Sequence, residues 1–399
     1  MPLTKTHNKT KYSNNIEKNI PKFIDATKSI FAKQAVWQNN LLIVKVNEEY
    51  PYVYTRDLAI LIKFLVEENQ EKLARGAINF LLKCQLDNGE WVQRYNDSFQ
   101  RQEDKLQEDN TPLAVWAILS YIKKFSSKKL PGYWNNKIDK ALTWISNNLN
   151  NDFDLLYSHS SNHEDGINEG FELWTNSVTA KSFWLASKII GDDKYRSQYK
   201  KIKEAILKLL VKNNRFIRKI DKNNKKYLEA DIILLSPFYF DLVENNHKYL
   251  KNSASYIQNN LYDKDLGGYW RYEDDVYFPG PWIIYSAILA NYYYNINSFK
   301  KADKILSWIM EQSQNGNLPE HLVSRKEFKK HKDHQIKRAQ NMPVEKMKKT
   351  RLKAIKKLEE KLDDKRVVGY AIPILWSHIE TARALKSGEY IKSIEFNNA

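Results

Sequence analysis

The chain has 399 residues, 42% of them hydrophobic, with 64 basic and 48 acidic side chains and a net charge of +16. No apolar run approaches the roughly 18 residues of a membrane-spanning helix, and residues 1–20 lack the apolar core of a secretory signal, so a cytoplasmic protein is expected. The single cysteine, Cys84, excludes an intrachain disulfide framework and a cysteine-based zinc site. Gly and Pro number only 12 and 11, few for a chain of tight β turns. Neither G-x-G-x-x-G nor G-x-x-x-x-G-K-S/T occurs, so no phosphate-cradling loop is expected.

Helical periodicity predicts helices over 16–35, 56–68, 70–85, 111–124, 136–149, 176–190, 194–212, 229–243, 247–260, 281–296, 298–313 and 368–386. Cys84 falls on the third of these at a position that reads as buried. Asp193 is expected to cap the helix beginning at Lys194, and Ser298 the helix 299–313, which Asn315-Gly316 ends. Pro281 suits a first helical turn. Short connections and scarce strands predict one all-α domain over 1–399. Within it, 325–366 holds 17 Lys/Arg and 7 Asp/Glu, a net of +10 out of the total +16. Met347, Leu352, Ile355, Leu358 and Leu362 recur at helical spacing there, predicting a basic helical insertion with a narrow apolar stripe. No aromatic residue interleaves with its charges after Phe328, which argues against a base-stacking platform and hence against nucleic acid as the partner.

Four loops at helix ends combine aromatic rings, Arg and carboxylates: Tyr50-Pro-Tyr-Val-Tyr-Thr-Arg-Asp57; Gly89-Glu-Trp91 with Gln107-Glu108-Asp109; Gly268 to Trp282; and Asn315-Gly-Asn-Leu-Pro-Glu320-His321. Sugars present apolar C–H faces to flat rings and hydroxyls to bidentate charged groups, so a carbohydrate partner is expected. His159-x-x-x-His163 reads as two solvated loop histidines. The pairs Asp274-Asp275 and Asp363-Asp364 lack a magnesium-binding context, so neither metal nor cofactor is expected.

Taken in order, these loops resemble the glucoamylase family of glycosidases (glycoside hydrolase family 15), whose fold is an (α/α)6 barrel. The resemblance runs from about Asn39 to Leu385. Tyr54-Thr-Arg-Asp57 is similar to the family's Trp-Thr/Pro-Arg-Asp signature, which implies that Arg56 and Asp57 bond the terminal sugar beside Tyr50 and Tyr54. Arg271-Tyr-Glu-Asp-Asp275-Val-Tyr-Phe-Pro-Gly-Pro-Trp282 resembles the family's sugar-binding Arg and Trp loop. Gly316-Asn-Leu-Pro-Glu320 resembles the segment that carries the general base, and Trp376-Ser377 the motif packed behind it. The resemblance implies an inverting glycosidase for α-linked glucosides, with Trp91, Glu108, Asp109, Trp174 and Asp275 also lining the sugar site. Inversion needs a protonated acid as well as a base.

The acid departs from the pattern. The family has Trp-Glu-Glu, whereas this chain has Trp174-Thr175-Asn176. Threonine does not protonate a glycosidic oxygen at neutral pH. Glu172, two residues before Trp174, is the expected substitute, with Glu169, Glu108 and Asp109 as further carboxyl groups. The alternative is a hydrolysis-deficient relative that binds or senses glycans.

Overall fold

The computed structural model describes residues 10–102, 107–125, 132–163, 169–273, 275, 277–341 and 345–396. Asp274 and the side chain of Met347 lie outside the described residues. In chain order the described helices are α1 (Ser13–Gln34), α2 (Thr55–Glu67), α3 (Glu71–Cys84), α4 (Asn110–Phe125), α5 (Gly132–Asn148), α6 (Leu173–Ile189), α7 (Asp193–Leu209), α8 (Ser236–Tyr239), α9 (Lys248–Asn260), α10 (Ile283–Asn295), α11 (Phe299–Glu311), α12 (Arg325–Gln340), α13 (Glu345–Asp364) and α14 (Leu375–Ser387). The described strands are short and pair in small antiparallel ribbons. The fold class is all-α.

The chain divides into two compact units, one of Gln34–Ile257 and one of Met1–Lys33 with Gln258–Asn397. In the first, α2, α4 and α6 are almost wholly buried. α4 packs between α2 and α6. Each of the three is followed by an amphipathic partner that covers it: α3 on α2, α5 on α4 and α7 on α6. Cys84 closes α3 and is buried, with its thiol pushed up by desolvation, a structural position. The second unit repeats the scheme, with buried α10 against α14 and amphipathic α11 covering α10.

Several boundaries differ from the periodicity. The window 229–243 is not one helix: Asp231 caps a 3-10 turn over Ile232–Leu235, and Pro237 opens the single turn of α8. The window 368–386 begins as a strand, Val367–Tyr370, and becomes helical only after Pro373. The cap of α7 is Asp192, which accepts from Lys194 N, one residue before the expected Asp193. Ser298 precedes α11 with no side-chain cap. Pro281 stands just outside α10, whose N-cap is Trp282.

The insertion is a helical hairpin mounted on a ribbon. Strands His321–Ser324 and Val367–Tyr370 pair antiparallel, Ser324 opposite Val367 and His321 opposite Tyr370. α12 and α13 rise from the open end of that ribbon and pack on each other. Ile355, Leu358 and Leu362 are buried as the stripe predicts, and Ala354 with Arg351 joins them.

Candidate functional site

In the Gln34–Ile257 unit the Tyr-Thr-Arg-Asp segment runs from a two-residue strand into α2. Val53–Tyr54 pairs with Arg94–Tyr95, and Thr55 is fixed twice, by its amide to Gln93 O at 2.9 Å and its hydroxyl to Val92 O at 2.6 Å. That anchoring sets Arg56 at the first turn, buried at 3% exposure. Its Nε donates to Asp109 Oδ2 at 3.2 Å, and one terminal nitrogen donates to Gln107 Oε1 at 2.8 Å and Ser161 O at 3.0 Å. Asp109 Oδ2 also accepts from the indole of Trp174 at 3.1 Å. Arg56 of α2, Trp174 of α6 and Asp109, just before α4, are thus one polar cluster. Asp57 lies half-buried in the same helical turn. Tyr50 and Tyr54 meet edge to face at 6.2 Å, and Tyr54 accepts a hydrogen bond from Arg94 at 3.0 Å.

Trp91 does not join this cluster. Its ring is fully buried and its indole donates to Leu81 O at 2.7 Å, so it supports α3 and offers no face for stacking a sugar. Glu108 is held by His159, through the backbone amide at 2.9 Å and ring Nδ1 at 2.6 Å. Burial raises the Glu108 carboxyl, opposed by those two bonds. His163 is not solvated as expected: it is buried, with Nε2 2.8 Å from Asp231 Oδ1.

Glu172 sits where a short strand becomes α6. Phe171–Glu172 pairs with Lys219–Ile220, and Glu172 is the extended N-cap of the helix. Its carboxyl is fully buried; Oε2 accepts from Ser161 Oγ in a short hydrogen bond and from Thr175 Oγ1 at 3.3 Å. Oε1 is buried with no hydrogen-bond partner. Burial pushes the carboxyl up to about 8; the nearby Asp231 and Asp109 charges add to this, while Ser161 and Arg218 oppose it. Glu172 is therefore largely a neutral acid at pH 7. Thr175 accepts from Ser158 Oγ at 2.9 Å and so belongs to the same hydroxyl chain. Asn176 is structural: its amide spans Leu156 O, Leu156 N and Glu172 O. Ser161, Arg218 and Asp231 were not expected here. They come from distant loops without any motif, and only the ribbon and the Arg218–Asp231 ion pair at 3.2 Å bring them in.

In the second unit, Arg271 is buried and grips Asp275 with two bonds, of 2.7 and 2.6 Å. Asp275 in turn caps the loop by accepting from Tyr277 N at 2.9 Å. The Arg271 guanidinium lies 4.6 Å from the Trp282 ring, and Trp282 stacks on His321 at 4.4 Å. The Trp282 indole nitrogen is buried without a hydrogen-bond partner.

Glu320 lies beside His321, with its side chain 12% exposed. Asn315-Gly316 forms a turn closed by Gln314 N to Asn317 O at 2.9 Å rather than ending α11. Gly316 has φ +86°, and a Cβ there would meet Lys22 O at 2.2 Å. The next residues are clamped from α14. Leu318 N donates to His378 Nε2 at 2.9 Å, and Ser377 Oγ donates to Pro319 O at 2.7 Å. Glu320 itself bonds through its amide to Tyr370 O and through its carbonyl to Ile283 N, each at 3.0 Å. Burial pushes His378 down to about 3, so its Nε2 stays a neutral acceptor. His321 is likewise lowered, chiefly by burial, and its Nδ1 lies 3.5 Å from Glu320 Oε2, too far for a firm hydrogen bond.

Among the described residues no cluster of three or more His, Cys, Asp or Glu side chains is placed to hold a metal, and no helix is long and apolar enough to cross a membrane.

No family model matches the chain. An uncharacterised glycosyl hydrolase of Methanocaldococcus jannaschii is 25% identical over 303 residues, which cover 69% of this chain and 47% of that protein. The chain spans about half the length of that relative. Among solved structures, a glucoamylase from Saccharomycopsis fibuligera aligns with a TM-score of 0.62 at 14% identity, covering 99% of each chain. A metal-independent α-mannosidase of Streptococcus pneumoniae, in complex with α-1,6-mannobiose, aligns at 0.69 and 12% identity, covering 95% of this chain and 97% of its own. These likenesses, over nearly the whole chain, assign the fold to the glucoamylase-like (α/α)6 class.

Proposed function

We propose that the protein is a glycoside hydrolase of the glucoamylase type, cleaving α-linked glucosides or oligosaccharides with inversion. The whole chain is taken as one catalytic domain, with 325–366 inserted into it. The observation that carries this reading is Glu172. Its carboxyl is held near pKa 8, with Oε2 bonded to two hydroxyls and Oε1 without a partner. A protonated Oε1 is what a general acid needs to donate to a leaving glycosidic oxygen. It restores in the residue before α6 the group that Thr175 and Asn176 cannot supply. Glu320 is the general base: it activates water as the glycosidic bond breaks, and its loop is fixed at Leu318, Pro319 and Glu320 itself. Arg56 and Asp57 bond the terminal sugar, and Arg271 with Trp282 supplies a charged and an aromatic contact.

The enclosure of Glu172 favours a second reading. None of its surface is exposed, which suits a buried structural acid in a protein that binds glycans without turning them over. Glucose release from maltose and isomaltose separates the two. For the hydrolase, wild type releases glucose and Glu320→Gln, with an unchanged circular dichroism spectrum, is slower by about 100-fold or more. Unaltered turnover in Glu320→Gln sinks the assignment of the base, and no release by wild type sinks the hydrolase.

A further inference from the structure

The second unit holds a cavity of about 250 Å³ lined by the 267–269 segment, by α11 and by Tyr293 near the end of α10. None of the residues assigned above to the acid, the base or the sugar contacts lines it. Its wall is built rather than incidental. Gly267 and Gly268 have φ of +74° and +72°, and a Cβ on them would meet the Trp308 ring at 2.7 and 2.2 Å. Bare backbone therefore lies against Trp308, whose indole donates to Leu266 O at 2.8 Å. Tyr293 is fixed at its far end: its hydroxyl donates to Gln258 Oε1 at 2.8 Å, and Lys301 Nζ donates to the same oxygen at 2.9 Å. Tyr262 packs on Tyr269 at 5.5 Å yet keeps 37% of its surface exposed, with Lys304 5.3 Å from its ring. Tyr269 is 5% exposed and lines the cavity, and its hydroxyl makes no hydrogen bond among the described residues.

A buried hydroxyl left unmatched costs about 1–3 kcal/mol, so what fills the cavity has to be polar at that point. The rings of Tyr262 and Trp308 suit the C–H face of a sugar. The Tyr269 hydroxyl, the lysine ammoniums and the Glu311 carboxylate offer both donors and acceptors to its hydroxyls. An aliphatic ligand leaves those polar groups unmet, and an inorganic anion leaves the rings unused. The volume lies below the roughly 300–1,000 Å³ of pockets for drug-sized ligands, which suits one sugar unit rather than a chain. We propose that this cavity is a second carbohydrate site, holding one unit of a neutral glycan against Tyr262 and Trp308, with Tyr269 Oη bonded to a sugar hydroxyl. It stands apart from the assignments of acid and base and does not require that the chain hydrolyse anything.

The test is NMR titration of the nitrogen-15-labelled full chain with maltotriose, isomaltotriose and inorganic phosphate. It is read at the indole N–H signals of Trp308 and Trp282, assigned through Trp308→Phe and Trp282→Phe. At least one trisaccharide is expected to shift the Trp308 signal to saturation along a curve of its own. Tyr262→Ala raises that Kd about ten-fold or more, because a stacking ring is lost. Tyr269→Phe raises it about three- to ten-fold, because one hydrogen bond is lost. The Trp282 curve stays the same in both variants. A Trp308 signal that neither trisaccharide moves overturns the second site; a Trp282 signal that moves in the same titration leaves the proposed sugar contact of its loop standing. A Trp308 shift whose Kd is the same in wild type and both variants also overturns it, and so does a shift with phosphate but not with sugar, which marks an anion site of the lysines. A Trp308 response without one at Trp282 keeps the second site and counts against the sugar contact at Trp282. Should Tyr262→Ala fail to fold, Tyr269→Phe, which keeps the buried ring, carries the test alone.

Discussion

At the scale of single residues, burial does most of the chemistry. Glu172 and His378 are both enclosed, and desolvation drives each towards its neutral form, the carboxyl upwards and the imidazole downwards. The Glu172 shift has a sign that can be tested. Its usual value is 4.5 and its folded value about 8, so the folded chain holds the proton more tightly than the unfolded chain. The associated stability is complete below pH 4.5 and is lost as pH rises through 8. Glu172→Gln keeps a neutral group of the same size at every pH. Wild type and variant are therefore expected to be about equally stable near pH 4. Above pH 8 the variant should be the more stable by a few kcal/mol, at about 1.4 kcal/mol per pH unit crossed. Urea unfolding at pH 4.5, 6.5 and 8.5 measures this, and a gap that does not widen with pH contradicts the neutral acid. If Glu172 is the general acid as proposed, the same protonation is expected to give wild-type turnover an alkaline limb near pH 8. None of this was visible in the chain itself. Glu172 was expected from its distance to Trp174, but the burial that sets its ionisation, and Ser161, Arg218 and Asp231, which modulate it, come from unrelated loops with no spacing to mark them.

At the scale of elements, the loop carrying Glu320 is held by α14 more than by its own turn. Ser377 and His378, adjacent on that helix, take one carbonyl and one amide of the two preceding residues. The motif itself was legible, because Trp376-Ser377 resembles the family's closing Trp-Ser motif. The part played by His378 was not, because a buried histidine accepting an amide looks in sequence like any other polar residue on an apolar helix. His378 also stacks on Phe23 at 5.2 Å and bonds Thr27 at 2.8 Å. Replacing it with Phe keeps the ring stack but leaves Leu318 N–H buried and unpaired, which costs about 1–3 kcal/mol. The expected kinetic signature is a fall in kcat with KM little changed, since the proposed base is displaced while the proposed sugar contacts of the other loops stay. A Tm lowered by a few degrees, with kcat intact, would show that the clamp serves stability alone. The helix boundaries were legible where apolar periodicity was long, as in α2, α4 and α10. They failed where one residue redirected the chain: Pro237 in the window 229–243, and Pro373 between the ribbon and α14.

At the scale of the whole molecule, the positive charge and the candidate chemistry occupy different parts of the chain. The insertion holds most of the net charge, while both proposed catalytic glutamates lie outside it. That the chain is all-α follows from its helical periodicity; the (α/α)6 class was implied by the family resemblance and is supported by the solved structures it aligns with. Whether the fold is put to hydrolysis depends on the division of labour between acid and base, and substrates with different leaving groups separate the two roles. A sugar leaving group must be protonated as the bond breaks; fluoride leaves without that help, but attack by water still needs a base. For the inverting hydrolase, Glu172→Gln is expected to lose maltose or isomaltose hydrolysis by about 100-fold or more and to keep most of its turnover of α-glucosyl fluoride. Glu320→Gln is expected to lose both. The first sugar released by wild type, followed by proton NMR before mutarotation, should be the β-anomer. Equal losses of the two substrates in Glu172→Gln would remove Glu172 from the acid role, and an α-anomer as first product would remove inversion. If wild type turns over neither substrate, the fold serves glycan binding alone, and Thr175 and Asn176 then mark the step at which hydrolysis was lost.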